Sequence, residues 1–346
     1  MDLKAIYLTT LQRCAPEVLV RKHVDETMPR NVVAIGKCAG ALLDGVASLL
    51  AIENAFVAIP DGYRLPSTRA EVHVGGHPQM TPASFAAGRA LLQFVERHED
   101  ILFLISGGGS ACVEVALDSE EETARVNARL IAAGLPIAAI NAERRKHSAI
   151  KGGRLRERVR GRAVTLVYSD VATGALTDVA SGPTITSPDE AILIADNTTL
   201  VTTAAQIIGD NARVVAHQLE DDVEPVALWL AMRARELRSG EVLVAGGEPT
   251  VVVHGDGRGG RCSELAVRFA LQSAAEALFA SSDGVDGSSG VAGVYMKRRP
   301  EAGGPAGWKP ALQRSDSMSI AAQVGEPIMI APTGNNLRDL FLVARD

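Results

Sequence analysis

Three glycine-rich stretches carry the cations and hydroxyls that chemistry on an anion requires. Gly36-Lys37-Cys38-Ala39-Gly40 places an ammonium directly after the apolar run Asn31 to Ile35. Ser106-Gly107-Gly108-Gly109-Ser110 follows the more apolar run Ile101 to Ile105, and Gly255 to Ser263 brings Arg258 and Arg261 among Gly257, Gly259 and Gly260. Glycine lets a backbone approach a phosphate or carboxylate closely, and successive N–H groups at a helix start form an anion cradle. An isolated glycine triplet is as often a tight turn, and an isolated lysine is usually a solvated one. What favours function is that all three stretches fall between a predicted strand and a predicted helix. None has the spacing of the P-loop.

Carboxylates stand at neighbouring strand ends. Asp170 follows Val164 to Tyr168, Glu248 follows Val242 to Ala245, and Asp283 and Asp286 share the turn Ser282 to Gly287. Phosphoryl transfer needs a metal to spread charge and an acid to place the nucleophile. One of these four is expected to hold Mg²⁺ or to accept a hydroxyl proton, and the sequence does not assign which. The working set takes Lys37, Arg261 and Asp170 as catalytic and Glu248, Asp283 and Asp286 as metal ligands. Asx capping accounts equally well for Asp283 and Asp286, and the spacing is not that of an EF-hand. The basic segment Asn141 to Gly153 supplies Asn141, Arg145, His147 and Lys151, donors suited to a small hydroxy acid, although a charge run is ordinarily a solvated face.

The elements that must position these groups alternate. Strands are expected at Asn31 to Gly36, Ala55 to Ile59, Glu71 to Val74, Ile101 to Ile105 and Val164 to Tyr168, with helices at Ala39 to Leu50, Pro82 to Glu96 and Glu120 to Ala133. Beyond a Pro/Ser-rich exit at Gly182 to Asp189 the pattern predicts helix Ala191 to Ile208, strand Arg213 to His217, helix Asp222 to Leu237, strands Val242 to Ala245 and Thr250 to His254, helix Ser263 to Ala280, an exposed connection Arg298 to Trp308 and strand Pro327 to Ile330. A short helix or strand follows Asn335. Strands separated by helices imply an α/β fold with largely parallel, Rossmann-like sheets. The boundary is set between domains 1–210 and 211–346.

With 47% hydrophobic and 22% charged residues over 346 positions, the chain has enough apolar material for two such domains. Its net charge of −6 gives no basic footprint for nucleic acid. No apolar run is long enough to span a membrane, and the amino terminus has no signal or transit pattern, so a cytoplasmic location is expected. Cys14, Cys38, Cys112 and Cys262 lack zinc-ligand spacing and are read as reduced and buried.

In this order the motifs resemble the class II glycerate kinases, whose members carry a DUF4147-type N-terminal region and a MOFRL-type C-terminal region. The resemblance runs from Ala34-Ile35-Gly36-Lys37 through Gly75-Gly76-His77-Pro78, Ile105 to Ala111, Asn141 to Gly153, Ser169-Asp170-Val171 and Ala180 to Thr184. It continues through Gly246 to Thr250, Gly257 to Arg261 and Asp283 to Gly287 to Pro332-Thr333-Gly334-Asn335-Asn336-Leu337-Arg338-Asp339-Leu340. It implies two different α/β domains with an inter-domain cleft, and ATP- and Mg²⁺-dependent phosphorylation of D-glycerate at its 2-hydroxyl. It further implies active-site roles for Lys37 and Arg261, and it draws Asn335 into the substrate- and phosphate-binding set. The chain departs from the family in its shortened stretch between Thr184 and Gly246 and in Cys38 and Cys262, which bear on substrate preference. Rival readings are a hydroxypyruvate reductase, for which the GxGxxG fingerprint is missing after the first strand, a kinase of another small hydroxy acid, and a non-catalytic metabolite sensor. A homodimer is left open.

Overall fold

Apolar runs of five to seven residues bounded by polar turns are too short for buried helices, and they pair into sheets. The computed structural model describes residues 1–133, 135, 137–171, 176–299 and 301–345. These form two compact units, residues 16–196 and residues 1–15 together with 197–346.

Helix α1 (Leu3–Arg13) opens the chain and belongs with the second of these units. The Tyr7 hydroxyl donates to the Ser281 carbonyl at 2.7 Å, and Asn335 Nδ2 donates to the Leu11 carbonyl at 3.0 Å. The unit of residues 16–196 then comprises α2 (Pro16–Leu19), β1 (Asn31–Ile35), α3 (Ala39–Ala47), β2 (Asn54–Pro60), β3 (Glu71–Gly75), α4 (Pro82–Arg97), β4 (Ile101–Ser106), α5 (Gly109–Cys112), α6 (Glu120–Ala132), α7 (Ile137–Lys146), β5 (Ala163–Tyr168) and β6 (Ala191–Ala195). Its sheet is parallel throughout, in the order β3-β2-β1-β4-β5-β6. Central β4 is buried along its whole length, as a strand covered on both faces must be. Helix α4 starts at a Thr81 cap with Pro82 in its first turn, and lays Phe85, Leu91, Phe94 and Val95 into the core. The chain runs outward from β1 to β3, then returns to β4 and runs the other way. The loops leaving β1 and β4 therefore diverge, and in open α/β sheets ligands bind at such a reversal.

The other unit adds α8 (Asn197–Ile208), β7 (Ala212–Leu219), α9 (Val223–Arg235), β8 (Val242–Gly247), α10 (Arg261–Gln272), β9 (Glu276–Ser281), β10 (Gly293–Met296), α11 (Trp308–Gln313), α12 (Met318–Val324), β11 (Glu326–Ile328) and β12 (Asp339–Ala344). Its order is β11-β10-β9-β12-β8-β7. Here β7 and β8 are parallel, whereas β12 enters antiparallel between β8 and β9, and β10 and β11 continue antiparallel. The fold is thus α/β with two sheets as expected; each has six strands, and the second is mixed. Phe269, Phe279 and Phe341 form its aromatic core, with ring centroids 5.2 and 5.9 Å apart.

Three expected elements differ. The stretch Ala191 to Ile208 is strand β6 followed by helix α8, because the run Ala191 to Ala195 pairs with β5 before Asn197 starts the helix. The stretch Ser263 to Ala280 is α10 followed by β9, broken at Ser273. Thr250 to His254 makes only a bridge from Thr250 to Asp222 among the described residues, since both edges of β8 are already taken by β7 and β12. The compact units divide at 196/197 where the sequence reading placed the boundary at 210, because α8 buries Leu200, Val201 and Ala204 within the second unit. Pro300, in the expected connection, lies outside the described residues. No helix among those described is long and apolar enough to cross a membrane.

Candidate active site

At the reversal in the parallel sheet, the loops after β1 and β4 are bound to each other. The Lys37 amide donates to the Gly107 carbonyl at 2.8 Å, and Ser106 Oγ donates to the Ile35 carbonyl while accepting from the Cys38 amide at 3.1 Å. Gly36 has φ +109°, and a Cβ there would lie 2.3 Å from the Ser106 carbonyl oxygen, so only glycine permits this approach. Lys37 and Asp170 both pack on the turn so formed. A Cβ on Gly108 (φ +85°) would sit 2.9 Å from Lys37 Cγ, and one on Gly107 would fall 1.8 Å from Asp170 Oδ2. The Lys37 ammonium lies 5.8 Å from the centre of the Tyr63 ring. The fold thus brings together Lys37 from the end of β1, Gly107 and Gly108 from the end of β4, and Asp170 from the end of β5.

Other members of the expected set serve the scaffold. Ser106 is fully buried and its hydroxyl is spent as above, so it braces the turn and does not face a ligand. Gly109 packs on Ala180 and Ile35. Ser110 joins a chain in which its Oγ meets Ser181 Oγ at 2.8 Å, Ser181 Oγ donates to Asn141 Oδ1 at 2.8 Å, and Asn141 Nδ2 donates to the Asp178 carbonyl at 3.0 Å. Arg145 is held by the Thr177 carbonyl at 2.6 Å and Asp178 Oδ1 at 2.8 Å, and so clamps the 176–181 segment, where Ala180 and Ser181 take left-handed φ of 52° and 61°. Lys151, 1% exposed, is ion-paired with buried Glu114 and cannot reach a substrate. Burial lowers its proton affinity and Glu114 opposes that. His147 stands between Asp118 at 3.6 Å and Glu143 at 3.5 Å.

In the unit of residues 1–15 and 197–346, Arg261 is the first residue of α10. Its Nε and Nη2 donate to Asp339 Oδ2 at 2.5 Å and Oδ1 at 3.0 Å, and its Nη1 lies 2.9 Å from Glu248 Oε1. Burial alone would lower the proton affinity of Arg261; the two carboxylates outweigh it and raise it. Burial also raises Asp339, against the pull of Arg261. Asp339 thereby fixes the plane of the guanidinium, whose remaining N–H groups point elsewhere.

The glycine loop before α10 is closed from within. The Gly257, Gly259 and Gly260 amides donate to the Arg314 carbonyl at 3.2 Å, Ser288 Oγ at 3.2 Å and Ser263 Oγ at 2.9 Å. The glycines serve close packing here and not an open nest. Asn335 is likewise buried and bonded to Leu11.

The three expected metal ligands are each engaged by protein groups. Asp286, 1% exposed, accepts the Cys262 and Ser263 amides at 2.8 and 2.9 Å, capping the start of α10 from another loop. Glu248 faces Arg261 and, at 3.4 Å, Arg338 Nε. Asp283 Oδ1 accepts from Ser281 Oγ at 2.6 Å and from the Val285 amide at 2.9 Å, an Asx turn. No three His, Cys, Asp or Glu side chains among the described residues could together hold a metal ion.

Sequence reasoning missed His77, Tyr63, Glu114 and Asp339 as individual residues, although His77 and Asp339 lie inside motifs that it singled out. His77 is exposed at its surface, yet desolvation of the ring and then the charges of Lys37 and Arg144 disfavour the imidazolium and push it down to about 4. It is neutral at pH 7.

Comparison with known proteins divides the chain after residue 209, beyond the division of the compact units at 196/197. Residues 2–209 match the domain of unknown function DUF4147, and residues 241–339 match the MOFRL family. The D-glycerate 2-kinase of Thermotoga maritima is 27% identical, over 99% of this chain and 98% of its own. A glycerate kinase crystal structure from Thermotoga maritima superposes with a TM-score of 0.87 at 26% identity, covering 99% of this chain and 98% of that one. An Agrobacterium vitis protein, 26% identical over 98% of this chain and 92% of its own, carries the provisional name hydroxypyruvate reductase.

Proposed function

Since the chain belongs to the DUF4147 family, we propose that it is a glycerate 2-kinase, transferring the terminal phosphoryl group of ATP to the 2-hydroxyl of D-glycerate. The observation that carries this reading is the packing of Lys37 and Asp170 on the Gly107-Gly108 turn, at the strand-order reversal of a parallel sheet. A lysine and an aspartate packed on one turn match the two demands of the reaction. The ammonium offsets negative charge on the transferring group, and the carboxylate orients the hydroxyl and accepts its proton. Arg261, held in plane by Asp339, is also required for turnover. Mg²⁺ carried on the nucleotide would neutralise phosphate charge, which suits an ion that keeps most of its ligands as water and phosphate oxygen. The reaction is cytoplasmic in this reading.

The test is to incubate the protein with ATP, Mg²⁺ and D-glycerate and to couple the product to enolase without added mutase. Wild type gives a signal, and Lys37→Met, Asp170→Asn and Arg261→Met each lose roughly 10²-fold or more in kcat. A signal that needs phosphoglycerate mutase means transfer to the 3-hydroxyl. NADH oxidation with hydroxypyruvate, and no ADP from D-glycerate, replaces the kinase with a reductase.

A further inference from the structure

Two adjacent arginines at the end of α7 are treated differently by the fold. Arg145 is spent on Asp178 and on the 177 and 181 carbonyls. Arg144, half-buried beside it, has no carboxylate within ion-pair distance among the described residues. Its Nε donates to Asn127 Oδ1 at 2.9 Å, and its Nη1 reaches Asn141 Oδ1 at 3.5 Å. Asn127 is itself 1% exposed, and its Nδ2 donates to the Pro78 carbonyl at 3.2 Å, one residue beyond His77. A buried amide therefore ties the guanidinium to the loop leaving β3, on the side of the sheet where Lys37 stands. Lys37 and Arg144 are the two charges felt by the His77 ring. The acid that acts on Arg144 across space is Glu114, which is committed to Lys151 and Ser148.

We infer that Arg144 binds the carboxylate of the 2-hydroxy acid, with Asn127 as its positioning residue. A planar guanidinium with one edge unspent suits a carboxylate, which it can meet with two parallel N–H bonds. Lys37, a compact charge on a flexible stem, suits the moving phosphoryl group. Arg144 presents a single positive charge in the last turn of α7, where the helix carbonyls temper it. That is the field for a monoanion, and a polyphosphate would call for more. The assignment separates the two arginines of the motif: Arg145 shapes the loop and Arg144 reads the substrate.

The inference rests on the kinase reading and deepens it, so turnover and binding are measured separately. Arg144→Ala is expected to raise KM for D-glycerate tenfold or more, to leave KM for ATP within twofold, and to change kcat by less than threefold. Arg144→Lys falls between the two, since it keeps the charge and loses the fork. Asn127→Asp, which keeps an acceptor for Arg144 and adds a competing carboxylate, raises KM for D-glycerate while circular dichroism reports the wild-type fold. A rise in KM for ATP with D-glycerate unaffected makes Arg144 a nucleotide residue and overturns the inference, as does an unchanged pair of constants. Calorimetric titration of D-glycerate without nucleotide gives the independent arm. Wild type that binds D-glycerate tenfold more tightly than Arg144→Ala but makes no 2-phosphoglycerate sinks the kinase reading and keeps the inference. Equal binding by the two proteins, or none by either, sinks the inference whatever the turnover.

Discussion

Replacing Glu114 by Gln tests whether Lys151 is held in the protein as a desolvated charge. Both residues are 1% exposed, and the glutamate also accepts from Ser148 Oγ and from the Val115 amide at 2.9 Å. Gln is nearly isosteric and its amide oxygen keeps those two bonds, so the change removes the charge and the acceptor of Lys151. A buried pair that loses one partner typically costs about 3 to 5 kcal/mol. The alternative open to the variant is to bury Lys151 as the neutral amine. At pH 7 that costs about 4.6 kcal/mol, from about 3.4 pH units below the ordinary lysine value at about 1.36 kcal/mol per unit. The cost caps the loss, and it shrinks with pH to about 1.9 kcal/mol at pH 9. The sign follows from proton counting: the unfolded variant binds the lysine proton and the folded one does not, so its stability rises with pH until the unfolded lysine titrates. Urea unfolding of both proteins between pH 7 and 9 is the assay. Adding Lys151→Met to Glu114→Gln should recover most of the loss, because a neutral pair leaves no charge buried. A loss below about 1 kcal/mol at pH 7, or a difference that stays flat to pH 9, refutes the reasoning, since an exposed or well-solvated lysine would behave so.

Three further outcomes are expected. Gly107→Ala should depress kcat far more than it lowers the melting temperature, because its Cβ would collide with the Asp170 carboxylate and turn that side chain away; unchanged turnover would separate Asp170 from the chemistry. By NMR, His77 should titrate near 4 in the free protein and move upward in Lys37→Met and in Arg144→Ala, and the unfolded chain should take up that proton first as pH falls from about 6.5, so the folded state loses stability in that window and His77→Gln flattens the loss. All four cysteines are buried, with Cys112 pushed up to about 12 by burial, so a thiol reagent should find none quickly in the native protein and all four in denaturant.

What the sequence disclosed and what it withheld divide along physical lines. Strand-end glycines and the residues beside them are local features, and Lys37 and Asp170 were legible because each follows an apolar run directly. That the two share a turn depends on β4 lying between β1 and β5, a pairing of distant segments that no local pattern encodes. The misread elements have the same origin. The run Ala191 to Ala195 suits helix and strand alike, and the free edge of β5 decides it. Val251-Val252-Val253 has strand propensity, but both edges of the preceding strand β8 are taken by β7 and β12, so tertiary context overrides it.

The acids of the second unit carry the lesson further. Asp286 and Asp339 are both buried carboxylates near the start of α10, and residue type alone cannot tell their roles apart. One accepts two helix amides and the other grips a guanidinium. A carboxylate that accepts the first backbone N–H groups of a helix caps it, so Asp286 stabilises the helix that begins with Arg261. A carboxylate bonded to one edge of a guanidinium fixes its plane, so Asp339 aims Arg261, whose Nη1 meets Glu248. The two substitutions should therefore fail differently. Asp286→Asn should lower stability by about 1 to 3 kcal/mol, since one of its buried amide partners loses an acceptor, with activity following the folded fraction. Asp339→Asn should also cost stability, as one partner of a buried ion pair is lost, and should reduce kcat beyond the folded fraction, because the arginine stays while Asp339 no longer fixes its plane. Thermal melts and turnover on the two variants decide it, and identical profiles would mean that the site does not depend on the aim of Arg261.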